Sequence, residues 1–461
     1  MSPEARILPG PPRAEWFKAD PQYPEPYSAE EQLAIYGGKH LNRTAFPPVD
    51  VGLGLYERGA YTPRPTLLGR KNPIMSSFLA YGDLRVAGAR NDNGGASGAQ
   101  SAIAARLNLD MDLALTATER IHAFARPLDR NGSFTRYQFG NGVQDKFVRE
   151  FNFSLKTLFF EGDLTTIRKG LTGNDGAHDM PIAIGRVPLN TQNGIWIDAA
   201  FDGAAVGILT ARSSPKLDVS NFDLTLFTGL RKVPTGAAPG DDHAKLFGAA
   251  GFFDAHEGYA EFGYGYLNAD NRDLSYHNVT AAFTRRYAGR IANSVRVIGN
   301  FGQKAPVKTA DGVLLLIENS FIRGNYTNIN PLTFVPYLNL FAGFKSPQPV
   351  ARAGDAGGVL RNTGLSFESD GMTGYPTLTA TAKDSYGGAL GLEYLFHLDR
   401  QIVVEGARVE GRKGQPSEYA FGARYQHPIS NAWIVRLDAM KGWREGQKNV
   451  YGARVEVRRK F

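Results

Sequence analysis

The chain has 461 residues, 42% of them hydrophobic and 21% charged, with no cysteine and a formal net charge of +7. Lack of cysteine excludes disulfides, thiolate metal sites and a cysteine nucleophile. The longest aliphatic run, Val313 to Ile317, is far short of the roughly 20 apolar residues of a spanning helix. The basic excess is scattered, with no Lys/Arg run or recognition motif, which sets nucleic acid aside.

Residues 1–73 form a first region, rich in proline, tyrosine and acidic residues. Its opening, MSPEARILPG, has no apolar core of the signal-peptide type. Ser28 is a fitting N-cap for one short predicted helix that Gly37 stops. Pro47 to Pro65 (PPVDVGLGLYERGAYTPRP) is loop-like. The region is a candidate plug or docking segment for a periplasmic partner.

From residue 74 onward the pattern is strict alternation. Ile103, Ala105, Leu107, Leu109, Met111, Leu113 and Leu115 share one face, while Ala104, Arg106, Asn108, Asp110, Asp112, Ala114 and Thr116 share the other. A two-residue period over that length is a long strand with one apolar and one charged face. The signature recurs in NFDLTLFTGLR, YAEFGYGYL, SVRVIGNFG, ALGLEYLFH, SEYAFGARYQ and AWIVRLDAMKGW. About eighteen such segments are predicted, beginning near residues 77, 100, 119, 151, 181, 203, 218, 244, 258, 275, 292, 312, 333, 386, 401, 418, 432 and 449. Their connections alternate long and short, as in a barrel with outer loops and periplasmic turns. Thr165 to Met180 and Gly324 to Asn330 are the exceptions, long where a turn is expected.

Strands as long as Ile103 to Thr116 exceed the roughly 5 to 6 residues of a globular sheet and suit a tilted bilayer crossing. Tyr81, Tyr259, Tyr276, Tyr287, Tyr394, Tyr419, Tyr425, Trp433, Trp443 and Tyr451 fall near strand ends, as an interfacial girdle requires. In lipid an open sheet edge leaves backbone groups unsatisfied, so the sheet must close. The fold class is all-β: a transmembrane antiparallel barrel of about 18 strands (16 to 18 by the uncertainty of the boundaries) over residues 74–461.

The last strand, VYGARVEVRRKF, resembles the terminal signature of Gram-negative outer-membrane β-barrels. Phe461 ends it, and Val457, Val455, Ala453 and Tyr451 alternate before it; Arg459 departs from the apolar pattern. The resemblance implies that the barrel-assembly machinery reads Phe461, Val457 and Val455. IAIGRVPLNTQNGIW (Ile182 to Trp196) resembles a strand and loop of the large porin-like and alginate-export-like channels.

An eighteen-stranded barrel needs polar inner walls. The predicted lining is Arg106, Arg186, Arg424, Arg436 and Arg454 with Asp110, Asp112, Glu393 and Asp438. Ser346 to Ser385 is the constriction candidate. His277 with Asn278 is the one arresting local pair, too little for a catalytic reading, and NDNGG (Asn91 to Gly95) reads as a turn before it reads as a calcium loop. No enzyme, cofactor or metal is expected. The expected function is an outer-membrane channel for passive diffusion of small polar or anionic solutes. Its partners are outer-membrane lipid, the solute, the assembly machinery and a periplasmic protein or second copy. The alternative is a barrel scaffold or sleeve within a larger outer-membrane assembly.

Overall fold

The computed structural model describes residues 47–52 and 76–461, apart from short internal stretches that include 211–217, 322–332, 353–357 and 361–370. The helix predicted from Ser28 lies outside the described residues.

Eighteen antiparallel staves close into one barrel. They are β1 (Ser77–Asp92), β2 (Gln100–Ala114), β3 (Arg120–Ala125), β4 (Leu155–Asp163), β5 (Pro181–Thr191), β6 (Ile197–Thr210), β7 (Val219–Arg231), β8 (Lys245–Ala255) and β9 (Gly258–Asn268). The circuit continues with β10 (Tyr276–Tyr287), β11 (Ile291–Phe301), β12 (Gly312–Phe321), β13 (Thr333–Lys345), β14 (Ser385–His397), β15 (Arg400–Gly411), β16 (Glu418–Pro428), β17 (Trp433–Arg444) and β18 (Val450–Lys460). Closure is the ladder of β1 on β18, running from Asp83 opposite Lys460 to Asp92 opposite Tyr451. The predicted starts agree within a few residues except at β4 and β6. The sixth stave begins at Ile197, because Ile195, Trp196 and Ile197 are wholly buried and form an inward corner.

One end of the barrel carries the long connections and the other the short turns. At the short-turn end, helix α1 (Leu164–Thr172) fills the first of the two long exceptions. Asp163 caps it by accepting from the Thr166 amide at 2.6 Å, and Gly173 closes it in the left-handed region. The second exception, Gly324 to Asn330, lies outside the described residues. The third and fourth staves are interrupted: above β3 and β4, Ser133–Phe139 pairs with the upper half of β2 and Lys146–Val148 pairs with it in turn. Between them the chain dips inward through Asp129, which is 3% exposed.

Alternation sends Leu226, Phe247, Phe262, Val279, Val297, Val313, Leu315, Val404 and Val455 outward, all more than a third exposed. These form the lipid face. Tyr287, Tyr419, Trp433 and Tyr451 also point outward, as the girdle requires. Tyr81 and Tyr276 do not. Tyr81 donates to Asp112 in the lumen, and Tyr276, 1% exposed, donates to the Val350 carbonyl at 3.0 Å. Position near a strand end cannot separate the two faces; parity within the strand can. A cation on the lipid face costs about 2–4 kcal/mol at the bilayer midplane. Leu226→Lys should therefore lower unfolding free energy in lipid vesicles by about that amount, measured by denaturant titration of the refolded barrel.

The upper lumen is not open water. The inward faces of β8 to β12 place Leu246, Leu267, Tyr276, Ile298, Leu314 and Leu316 in one apolar cluster with Trp196, Val350, Val359, Leu360 and Leu378. The last four belong to the connection from β13 to β14, which folds into the barrel. Its residues Ala351–Arg352 run parallel to the start of β6. Space for it comes from β9, where a Cβ on Gly263 would meet the Trp196 ring at 2.4 Å and one on Gly265 would meet Val350 at 2.5 Å. The glycines of YAEFGYGYL thus face a packed interior.

Candidate functional site

The inward loop crosses the lumen and lands on the opposite wall. Asn91 on β1 donates to the Thr373 carbonyl at 2.8 Å, and Asn93 donates to the Gly374 carbonyl at 3.0 Å. NDNGG is therefore a clamp on this loop. Met372, fully buried, packs with Ala87, Ala104 and Phe134. Tyr375 and Pro376 lie over Gly452, where a Cβ would come within 2.9 Å of both. Glu418 accepts from the Thr379 amide at 2.8 Å and Arg444 donates to the Thr377 carbonyl at 2.9 Å. Near its start, Trp196 donates to Asn278 at 2.7 Å, and Asn278 donates to the Gln348 carbonyl at 2.8 Å. The described residues of Ser346 to Ser385 thus form a shelf held at both walls.

Beneath the shelf lies a run of guanidinium groups on neighbouring strands. Asp438, its side chain 2% exposed, accepts from Arg424 at 2.7 Å and from Arg436 at 3.1 Å, and lies 3.9 Å from Arg454. Glu456 pairs with Arg454 and, at 2.7 Å, with Arg85. Arg458 reaches Asp83 at 3.0 Å. The two-residue period does this: Arg424, Asp438 and Arg454 stand opposite one another across β16, β17 and β18. Arg458, Arg85 and Arg106 do the same across β18, β1 and β2. Tyr375, 6% exposed, faces this group, and burial, followed by Asp438, pushes its hydroxyl pKa up, so it stays a neutral donor.

Arg106 continues the run to Asp129, with Arg106 and Lys156 each 3.5 Å from that carboxylate and Arg126 at 4.0 Å. Toward the short-turn end the wall opens on a cavity of about 510 Å³ lined in part by Tyr81, Asp110, Asp112, His122, Phe124 and Phe159. His122 bridges Asp112 and, at 3.1 Å, Glu161. Beside Arg424 the wall turns acidic, with Glu393 on β14 and Glu405 on β15 accepting from Tyr337, and farther round Glu318 and Glu261 flank the buried Arg296.

Of the predicted lining, Arg106, Arg424, Arg436, Arg454 and Asp438 share this wall, Asp110 and Asp112 face the cavity below it, and Glu393 stands two strands from Arg424, in register with it through Val403. Arg186 does not join them. Its ladder partners are Leu158 and Asp202, and it shares the outer face with the half-exposed Ile184. The buried Val187 next to it takes the inward place, opposite Phe201. Val455 and Val457 lie on the outward face of β18. His277 and Asn278 diverge as neighbours in a strand must: His277 bonds Tyr264 on the outer face at 2.8 Å, and Asn278 is buried inside. Asp129, Tyr375 and Trp196 were not anticipated. For Trp196 the signal was present in the inward Gly263 and Gly265, which only a packed partner explains.

No protein-family model and no curated protein matches the sequence. Solved structures do. The BenF-like porin of Pseudomonas fluorescens is 10% identical over 83% of this chain and 98% of its own, with a TM-score of 0.53. OccK1 (OpdK) of Pseudomonas aeruginosa is 12% identical over the same shares, with a TM-score of 0.51. OpdK of the same organism, solved with vanillate, is 13% identical with a TM-score of 0.50, again over 83% and 98%. The fold is that of these outer-membrane porin barrels, with an apolar outer face.

Proposed function

We propose that the barrel is a constricted channel for passive diffusion of small polar solutes, with a preference for anions. The observation that carries this reading is the guanidinium wall under the shelf. Arg424, Arg436, Arg454, Arg458 and Arg85 face three carboxylates, Asp438, Glu456 and Asp83, so five positive charges against three negative leave two positive in this wall, and Arg106 continues it to Asp129. A narrow lumen with low-dielectric walls focuses such a field and raises the local concentration of the opposite ion, and rings of charge are how pores select. Glu393 and Glu405 on the strands beside Arg424 set an acidic flank next to the basic wall, and this charge boundary orients a solute carrying both polar and charged groups.

Planar-bilayer recording under a KCl gradient tests this. The full-length protein should show steps of conductance with chloride favoured over potassium, and Arg424→Gln with Arg436→Gln should move the permeability ratio toward one. A ratio below one in the unaltered protein sinks the anion preference. Absence of conductance would favour the sleeve reading, in which the barrel encloses a partner.

A further inference from the structure

The seam of the barrel shows a mismatch that the N-terminal region resolves. β1 has 16 residues and β18 has 11. The ladder of β18 on β1 reaches Gly82, which exchanges both backbone hydrogen bonds with Phe461 at 3.0 Å. Below Gly82, the same edge of β1 would be bare. It is filled by Val49–Val51, with Val49 opposite Ala80, Asp50 opposite Leu79 and Val51 opposite Phe78. The other edge of β1 is taken at this level by β2, with Leu79 opposite Asp112, so Val49–Val51 stands on the β18 side. Both segments run antiparallel to β1. They are collinear pieces of one stave, broken only opposite Tyr81.

The inserted piece obeys the rule of the wall. Leu79 and Tyr81 have inward parity, which places Asp50 inward beside them. Val49 and Val51, 38% and 61% exposed, take the lipid side. Pro48 precedes it, where no ladder amide is needed. Gly52 follows at φ +105° and passes so close to Ser76 that a Cβ would sit 2.6 Å from its carbonyl oxygen. A passing loop has no reason to carry this apolar–acid–apolar triplet in register.

We propose that Val49–Val51 is the lower end of the last stave, a strap supplied in cis that locks the seam and covers a strand edge otherwise open to another chain. Unpaired edges in or near lipid are unfavourable and recruit foreign strands. Because Gly82 exchanges both bonds with Phe461, Ala80 and Phe78 direct their polar groups to the same edge, and Val49 and Val51 are their hydrogen-bonded partners. Asp50 and Leu79 then form the closer, non-hydrogen-bonded pair.

Two full-length variants test the strap. Val51→Pro deletes one ladder donor, and the folded barrel should unfold about 3- to 10-fold faster on heating in detergent, by the loss of gel mobility that marks unfolding. Asp50→Cys with Leu79→Cys creates the chain's two thiols, since it has none of its own. Mild oxidation should link them within one chain, and the linked barrel should unfold more slowly than its reduced form. Failure of the two thiols to link, a link that joins two chains, or an unaltered unfolding rate in Val51→Pro would overturn the proposal.

Discussion

Replacing Asp438 with alanine is expected to destabilise the barrel by about 3–5 kcal/mol, the usual cost of removing one partner from a buried ionic network. The carboxylate is almost fully enclosed and is shared by Arg424, Arg436 and Arg454, of which Arg454 has no exposed side-chain surface. Without it, three guanidinium groups converge with one carboxylate fewer among them. Denaturant unfolding of the refolded barrel reads the loss directly. The same variant should raise the chloride-to-potassium permeability ratio, because one negative charge leaves the basic wall. A structural role alone would lower stability without moving that ratio. An unchanged stability would show that the network is relaxed by water and ions, in the manner of exposed pairs.

Trp196→Ala should cost a similar amount, about 3–5 kcal/mol, as large aromatic deletions from packed cores do. Here the second consequence is larger than the first. The indole sits against β9 at Gly263 and donates to Asn278, which in turn holds the Gln348 carbonyl. Its loss releases one bolt of the shelf, so single-channel conductance should rise and open-channel noise should increase. Gly263→Val approaches the same joint from the barrel side, by collision rather than by a cavity, and should raise conductance likewise. Conductance that stays at the parent value in both variants would mean that the clamp at Asn91, Asn93 and Glu418 suffices to hold the shelf.

The barrel was legible because lipid and water impose a two-residue period that survives in the sequence. In β2, Leu107 and Leu109 alternate with Arg106, Asn108 and Asp110, and that alternation alone states which side each residue faces. In β18, Arg454, Glu456 and Arg458 alternate with Val455 and Val457 in the same way, and they form their ion pairs on the face opposite the half-exposed Val455. Arg186 shows the limit. Its strand holds apolar residues on both faces, Ile184 outside and Val187 inside, so parity had no polar face to follow.

The contents of the lumen were a different matter. Alternation predicts a polar interior, yet Leu246, Leu267, Ile298, Leu314 and Leu316 point inward, because the long connection after β13 turns into the barrel and buries them. A strand facing lipid on one side and a folded loop on the other reads as plain hydrophobic sequence, as VLLLI does. Likewise the triplet VDV is too short to carry a period of its own; only its pairing with Phe78 to Ala80 makes it a strand. The sequence by itself determined the closed barrel and the polarity of most wall positions, since these depend on the solvent each residue meets. The tertiary structure alone decided the shelf, the convergence of the arginines on Asp438 and the strap at the seam, since these depend on which distant segments meet, and side-chain periodicity carries no record of that.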